Sequence, residues 1–224
     1  MLHYDTVLFD LDGTIIDTNQ LIIESIQHVW VRRYGKRLPL ESIIPHMGRT
    51  LEQQFQTFTG ERDVADLIEE YRKFNYAAHD DYVKPFPHVA EVLAALKRHG
   101  VKTGAVTTKM RASSQRSLAF CGLDNLLDTL VTLDDVEHPK PHPEPVLKAV
   151  RELGADASRT IMVGDSPFDL QAARAAGVVP VAVGWSLKGV EALLPYEPHA
   201  VIHDMRELLR LVGIEADERS EGQE

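Results

Sequence analysis

A single cysteine, a shortage of positive charge and the want of any long apolar run set the first limits on this 224-residue chain. Cys121 has no internal partner for a disulfide, and the opening MLHYDTVLFD shows neither the basic stretch nor the long apolar stretch of a secretory leader, so a reducing, cytoplasmic setting is expected. Lys and Arg number 24 against 34 Asp and Glu, for a formal net charge of -10, whereas nucleic-acid surfaces need clustered cations; no nucleic-acid partner is expected. No apolar run approaches the roughly 18 residues of a membrane-spanning helix, so no membrane partner is expected either. What remains is an ordinary globular composition, 44% hydrophobic and 26% charged. An acidic protein of this kind binds a small anion if a divalent cation and a few local cations reverse the field inside one pocket.

Short apolar runs rich in strand formers recur along the chain: TVLFD from Thr6, KTGAVTT from Lys102, TLVTL from Thr129, TIMVGD from Thr160 and VVPVAVG from Val178. Helical patterns lie between them. Val89, Val92, Leu93 and Leu96 repeat at helical spacing before Gly100, and Leu170, Ala173 and Ala176 do so before Gly177. Alternating strands and helices predict an α/β fold with a Rossmann-like, doubly wound parallel sheet. Ile15 to Lys84 offers no convincing strand and four helical stretches, Asn19 to Arg33, Leu40 to Met47, Leu51 to Phe58 and Val64 to Ala78. Residues 1–14 and 85–214 are therefore expected to form the core, 15–84 an inserted four-helix cap, and the polar 215–224 a mobile acidic tail.

The strongest chemical signal is DLDGT. Asp10 and Asp12 stand two residues apart at the end of a buried strand, so both carboxylates project to one side, where open parallel sheets bind ligands. One carboxylate can attack phosphorus while the other handles the proton of the leaving oxygen and later of water. Gly13 allows the sharp turn beside them. Asp165 and Asp169 in IMVGDSPFD follow another buried strand and offer oxygen ligands to a hard cation, Asp169 directly or through a partner, or as an acid at a helix start. Thr107 and Thr108 end the strand GAVTT, where a hydroxyl and an N–H can hold a phosphoryl oxygen. Lys140 stands between two prolines that limit the freedom of its loop. His138 and His142 suggest a metal pair, but the segment is non-helical and shows no third ligand, so no ion is assigned to them.

Taken in order, DLDGT, Thr107, Lys140 and GDSPFD resemble the four motifs of the haloacid dehalogenase superfamily, and the helical insertion resembles its type 1 cap. The likeness spans nearly the whole chain except the tail. It implies a magnesium-dependent phosphohydrolase with Asp10 as nucleophile, Asp12 as general acid and base, Thr107 and Lys140 on the phosphoryl group, and Asp165 with the Asp12 carbonyl on Mg2+. Within the superfamily the chain resembles phosphoglycolate phosphatases and, more closely, bacillary inorganic pyrophosphatases, through YRKFN, VTTK, VTLDDVEHPKPHPEP and GWSLKG. GRT puts Arg49 where many relatives touch substrate. A sugar-phosphate mutase would share the four motifs. A phosphorylation-controlled receiver module is disfavoured, because it carries its phosphorylated Asp in mid-chain and has no cap.

Overall fold

The computed structural model describes residues 3–214; the expected mobile tail at 215–224 lies outside the described residues. The chain begins with β1 (Thr6–Phe9), followed by β2 (Ile16–Asp17), α1 (Asn19–Tyr34), α2 (Leu40–Ile43), α3 (Leu51–Thr59), α4 (Ala65–Tyr82) and β3 (Lys84–Pro85). It continues through α5 (Val89–Arg98), β4 (Lys102–Val106), α6 (Arg111–Phe120), β5 (Thr129–Val131), α7 (Glu144–Glu152) and β6 (Thr160–Gly164). The last elements are α8 (Pro167–Ala175), β7 (Val179–Val183), β8 (Ala200–Ile202) and α9 (Glu207–Val212).

Six strands form one sheet in the order β5-β4-β1-β6-β7-β8, every pair parallel. This is the expected doubly wound α/β architecture. The period-2 alternation of β1 sets its two layers: Val7 and Phe9 join one apolar cluster with α5 and α9, while Leu8 faces another with α7 and α8. β1 is central and fully buried, so the carboxyl group that follows Phe9 emerges in the middle of the sheet edge. Strand order reverses beside it, between β4 and β6, which is the crevice where such sheets bind ligands.

Helices α1 to α4 gather around a third cluster, with Ile23, Ile26, Val29, Ile43, Phe55, Leu67 and Tyr71 buried together. Thr50 opens α3 with a capping box, accepting from the Gln53 N–H at 3.3 Å while Gln53 reaches back to the Thr50 N–H. Gly35 and Gly60 terminate α1 and α3 in the left-handed conformation. The four helical stretches therefore form close to where the periodicity places them, α2 continuing as a 3-10 turn over Ile44–His46.

Two features differ from expectation. The segment between Ile15 and Lys84 is not free of strand: Ile16 pairs with Pro85 and Asp17 with Lys84 in a two-residue antiparallel ladder, and Ile15, Ile16 and Leu21 are buried in the cluster of the sheet. So short a ladder, containing a proline, carries no periodicity to read. The sheet also gains β8, a three-residue run, Ala200–Ile202, with no alternation of its own.

Candidate active site

The first acid pair follows β1. Asp10 is buried and its Oδ1 accepts from Lys140 Nζ at 2.7 Å; among the described residues its Oδ2 accepts no hydrogen bond, and the residue lines a cavity. Lys140 is only 2% exposed, and its ammonium is saturated by three acceptors, Asp10 Oδ1, Asp169 Oδ1 at 2.5 Å and the Val106 carbonyl at 2.8 Å. Burial alone disfavours the charged lysine, but Asp10 and Asp169 outweigh it and hold its pKa above the ordinary value. Burial pushes the Asp10 carboxyl well up; Lys140 opposes this, and the neighbouring charges of Asp169 and Asp165 add to it.

Asp165 follows β6 and is likewise buried. Its Oδ2 accepts from Lys188 Nζ at 3.3 Å, and burial raises its pKa against the pull of that ammonium. Asp169 has both oxygens committed: Oδ1 to Lys140, and Oδ2 to the Ser166 N–H at 3.0 Å and hydroxyl at 2.6 Å in the capping box that starts α8. Its geometry grips the lysine and fixes the helix rather than presenting a free oxygen to the cavity. Side-chain oxygens of Asp10, Asp165 and Asp169 lie within 4.8 Å of one another. All are hard donors. Asp10 Oδ2 and Asp165 Oδ1 have no hydrogen-bond donor among the described residues, and burial already strains both groups toward protonation. This donor set fits a divalent cation of the magnesium type.

Asp12 does not join that trio. Its Oδ1 accepts from the Thr18 hydroxyl at 2.7 Å and from Lys109 Nζ at 2.9 Å, its Oδ2 has no hydrogen bond among the described residues, and the residue lines the cavity with Asp10. Thr18 precedes α1 yet makes no cap bond there, its hydroxyl being drawn to Asp12 instead. Gly13 sits at φ +87°, and a Cβ there would stand 2.7 Å from Asp165 Oδ2. A residue without Cβ is what allows this close approach to a carboxylate.

Thr107 is buried, its N–H donating to Val131 O at 2.9 Å and its hydroxyl accepting from the Lys109 N–H at 3.1 Å. Thr108 donates its hydroxyl to Gly48 O at 3.1 Å, which ties the end of β4 to the loop between α2 and α3. Gly48, at φ +97°, would place a Cβ 3.1 Å from Ser166 Oγ, so this loop rests directly on the start of α8. Beside it Arg49 lays its guanidinium 5.3 Å from the centre of the Phe168 ring and lines the cavity. The cavity has a volume of about 1170 Å³, and its far wall comes from the helices, through Ile22, Tyr71, Arg72 and Asn75. The structure thus brings Asp10, Asp12, Thr107, Thr108, Arg49 and Asp165 to one cavity, with Lys140 and Asp169 directly behind Asp10.

Sequence reasoning missed Lys109 and Lys188. Each pairs with an acid of the site, and each follows a strand end, Lys109 two residues after Thr107 and Lys188 within GWSLKG after β7. Four carboxylates, Asp10, Asp12, Asp165 and Asp169, thereby meet three ammonium groups, Lys109, Lys140 and Lys188. No helix among the described residues is long and apolar enough to cross a membrane.

A central strand ending in Asp10, an acid two residues on, a buried lysine and a second acid pair after β6 define a class, and the model of the haloacid dehalogenase-like hydrolase family matches residues 7–183: the chain belongs to that family and is a hydrolase. Among curated relatives, it is 41% identical to pyrophosphatase PpaX of Anoxybacillus flavithermus, over 95% of this chain and 99% of that one. It is also 41% identical to pyrophosphatase PpaX of Bacillus velezensis, over 93% and 96%. Of solved structures, a haloacid dehalogenase-like hydrolase from Bacteroides fragilis superposes with a TM-score of 0.82 at 29% identity, over 92% of this chain and 99% of that one. A predicted phosphoglycolate phosphatase from Haemophilus somnus shares the fold, with a TM-score of 0.82 at 22% identity over 94% and 99%.

Proposed function

We infer that the protein is a Mg2+-dependent phosphohydrolase of the cytoplasm that cleaves inorganic pyrophosphate into two phosphates through a phosphoaspartate at Asp10. The observation that carries this reading is the division of labour between Asp10 and Asp12. Lys140 holds Oδ1 of Asp10 and leaves Oδ2 unbonded; Asp12, held by Thr18 and Lys109 through Oδ1, likewise keeps one oxygen unbonded among the described residues, and both acids line the same cavity. That is one nucleophile and one proton carrier in one site. The resemblance of the whole chain to proteins named pyrophosphatase supports the choice of substrate.

In the proposed reaction Asp10 Oδ2 attacks phosphorus, a P–O bond breaks, and the phosphoryl group stays on Asp10. The departing oxygen leaves as phosphate, or takes a proton from Asp12 when it belongs to an alcohol. Water then attacks the phosphoaspartate, giving its proton to Asp12 and returning Asp10 to a carboxylate. Lys140 stabilises negative charge on the Asp10 carboxyl throughout, and Thr107 and Thr108 border the transferred group. Asp10, Asp165 and the Asp12 carbonyl would hold Mg2+, which would supply charge neutralisation for a highly anionic substrate. Asp169 supports that set from outside by fixing Lys140. Residues 15–84 act as the cap over the core of 1–14 and 85–214, excluding water during transfer.

A second reading, hydrolysis of phosphoglycolate or another small phosphomonoester, is favoured by the cavity. Its volume of about 1170 Å³ lies above the range for drug-sized ligands, roughly 300–1,000 Å³, and leaves room beyond a pyrophosphate ion. Phosphate release from purified protein with Mg2+ separates the readings. Pyrophosphate is expected to give the highest kcat/KM against phosphoglycolate, sugar phosphates and nucleotides; a phosphomonoester in first place would replace the first reading by the second.

A further inference from the structure

Among the described residues, one group of side chains outside the active-site cavity carries metal-ligand chemistry that the proposed reaction does not use. His138, His142 and Glu144 place a ligand atom each within 4.8 Å of one another at the start of α7. The third ligand that the sequence does not disclose is Glu144, two residues beyond His142, which the turn into the helix brings back to His138. His138 Nδ1 lies 3.0 Å from Glu144 Oε2, and the two imidazole rings face each other with centres 4.7 Å apart and planes at 35°. Zinc takes nitrogen and oxygen at about 2.0–2.2 Å, so tetrahedral ligand atoms stand about 3.3–3.5 Å from each other. The His138–Glu144 contact is a hydrogen bond a few tenths of an ångström inside that edge, and a bound ion would take the place of its proton.

The trio is also supported from behind. Glu144 accepts from the Glu137 N–H at 2.9 Å and the His138 N–H at 3.0 Å, which fixes the carboxylate. His142 Nδ1 accepts from the Glu144 N–H at 3.2 Å, which orients the ring, and an ion on that nitrogen would replace this bond. Pro139, Pro141 and Pro143 restrict the backbone between the ligands. His138 is 62% exposed in its side chain, so solvent reaches the group and water can complete a coordination shell.

We propose that His138, His142 and Glu144 form a second metal site, selective for a borderline transition dication of the zinc type, distinct from the all-oxygen cluster of Asp10 and Asp165. Imidazole nitrogen is the discriminating donor: it suits Zn2+, Co2+ or Ni2+, whereas Mg2+ prefers oxygen. The site brackets Lys140 in sequence, so an ion here ties together the chain on both sides of the lysine that holds Asp10. The proposal stands whichever phosphate compound is hydrolysed.

Co2+ is the probe, titrated into the full chain under saturating Mg2+, with visible absorption read and Zn2+ then added. One equivalent of Co2+ per chain with the strong absorption of four- or five-coordinate cobalt, displaced by Zn2+, is expected. Asp165→Asn is expected to leave that signal in place, and His142→Ala to weaken Co2+ binding at least about tenfold. His138→Asn, at an exposed ring, must show the same loss and serves if His142→Ala does not fold. A signal abolished by Asp165→Asn, a signal untouched by both histidine changes, or only the weak absorption of octahedral cobalt would each overturn the site.

Discussion

The two walls of the cavity are built on opposite principles. On the sheet side each charged group is anchored by at least one partner: Lys140 has three acceptors, Asp169 uses both oxygens, Asp10 leans on Lys140, and Asp165 leans on Lys188 and on the space left by Gly13. On the helical side the cations are loosely held. Arg49 has a ring for its neighbour, and Arg72 is exposed. Under the proposed reaction the contrast teaches that the wall with the nucleophile is fixed by its own bonds, whereas the wall that would meet the leaving group keeps its cations free of carboxylate partners among the described residues.

Substitutions sharpen or break that contrast. Asp10→Asn, which keeps shape and removes the nucleophile, is expected to cut phosphate release by at least about 10⁴-fold while circular dichroism stays unchanged; appreciable turnover would remove the nucleophile from the sheet wall. Lys140→Met leaves Asp10 and Asp169 buried together without their cation. It is expected to lower kcat about 10²–10³-fold and to destabilise the fold by about 3 kcal/mol in urea unfolding. Gly13→Ala forces a Cβ against Asp165 at a strained φ, with an expected loss of about 10²-fold in kcat and about 1–3 kcal/mol of stability. Arg49→Ala is the smallest, a rise of about tenfold in KM with kcat nearly constant, as befits binding shared by ground state and transition state. A fall in kcat instead would move Arg49 to the chemical wall and erase the distinction.

The same contrast decides what was legible beforehand. Asp10, Asp12, Asp165 and Asp169 could be read because a strand fixes the direction of successive side chains, so DLD and GDSPFD state their own geometry once the strands β1 and β6 are recognised. The four helices of the insertion were readable from 3.6-residue periodicity. Lys109 and Lys188 were not, since a long flexible side chain acquires its meaning from a partner far away in sequence: Lys109 from Asp12, Lys188 from Asp165. Gly13 was assigned to the turn beside substrate, and its tight approach to Asp165 depends on β1 and β6 lying side by side. Glu144 was passed over for a similar reason, because its closeness to His138 arises from a turn between prolines that no periodic pattern announces.

The little ladder of Ile16 with Pro85 has a consequence for how such a molecule diversifies. The helices leave and rejoin the sheet through a doorway one rung wide, about 4.7–4.9 Å between neighbouring strands. Any polypeptide whose two ends meet at that doorway satisfies the sheet equally well, and added length raises the cost of closing the loop only logarithmically. Thr18, inside the insert, holds Asp12, so an exchanged insert has to bring its own partner for that acid, whereas Asp10 keeps Lys140 from outside the insert.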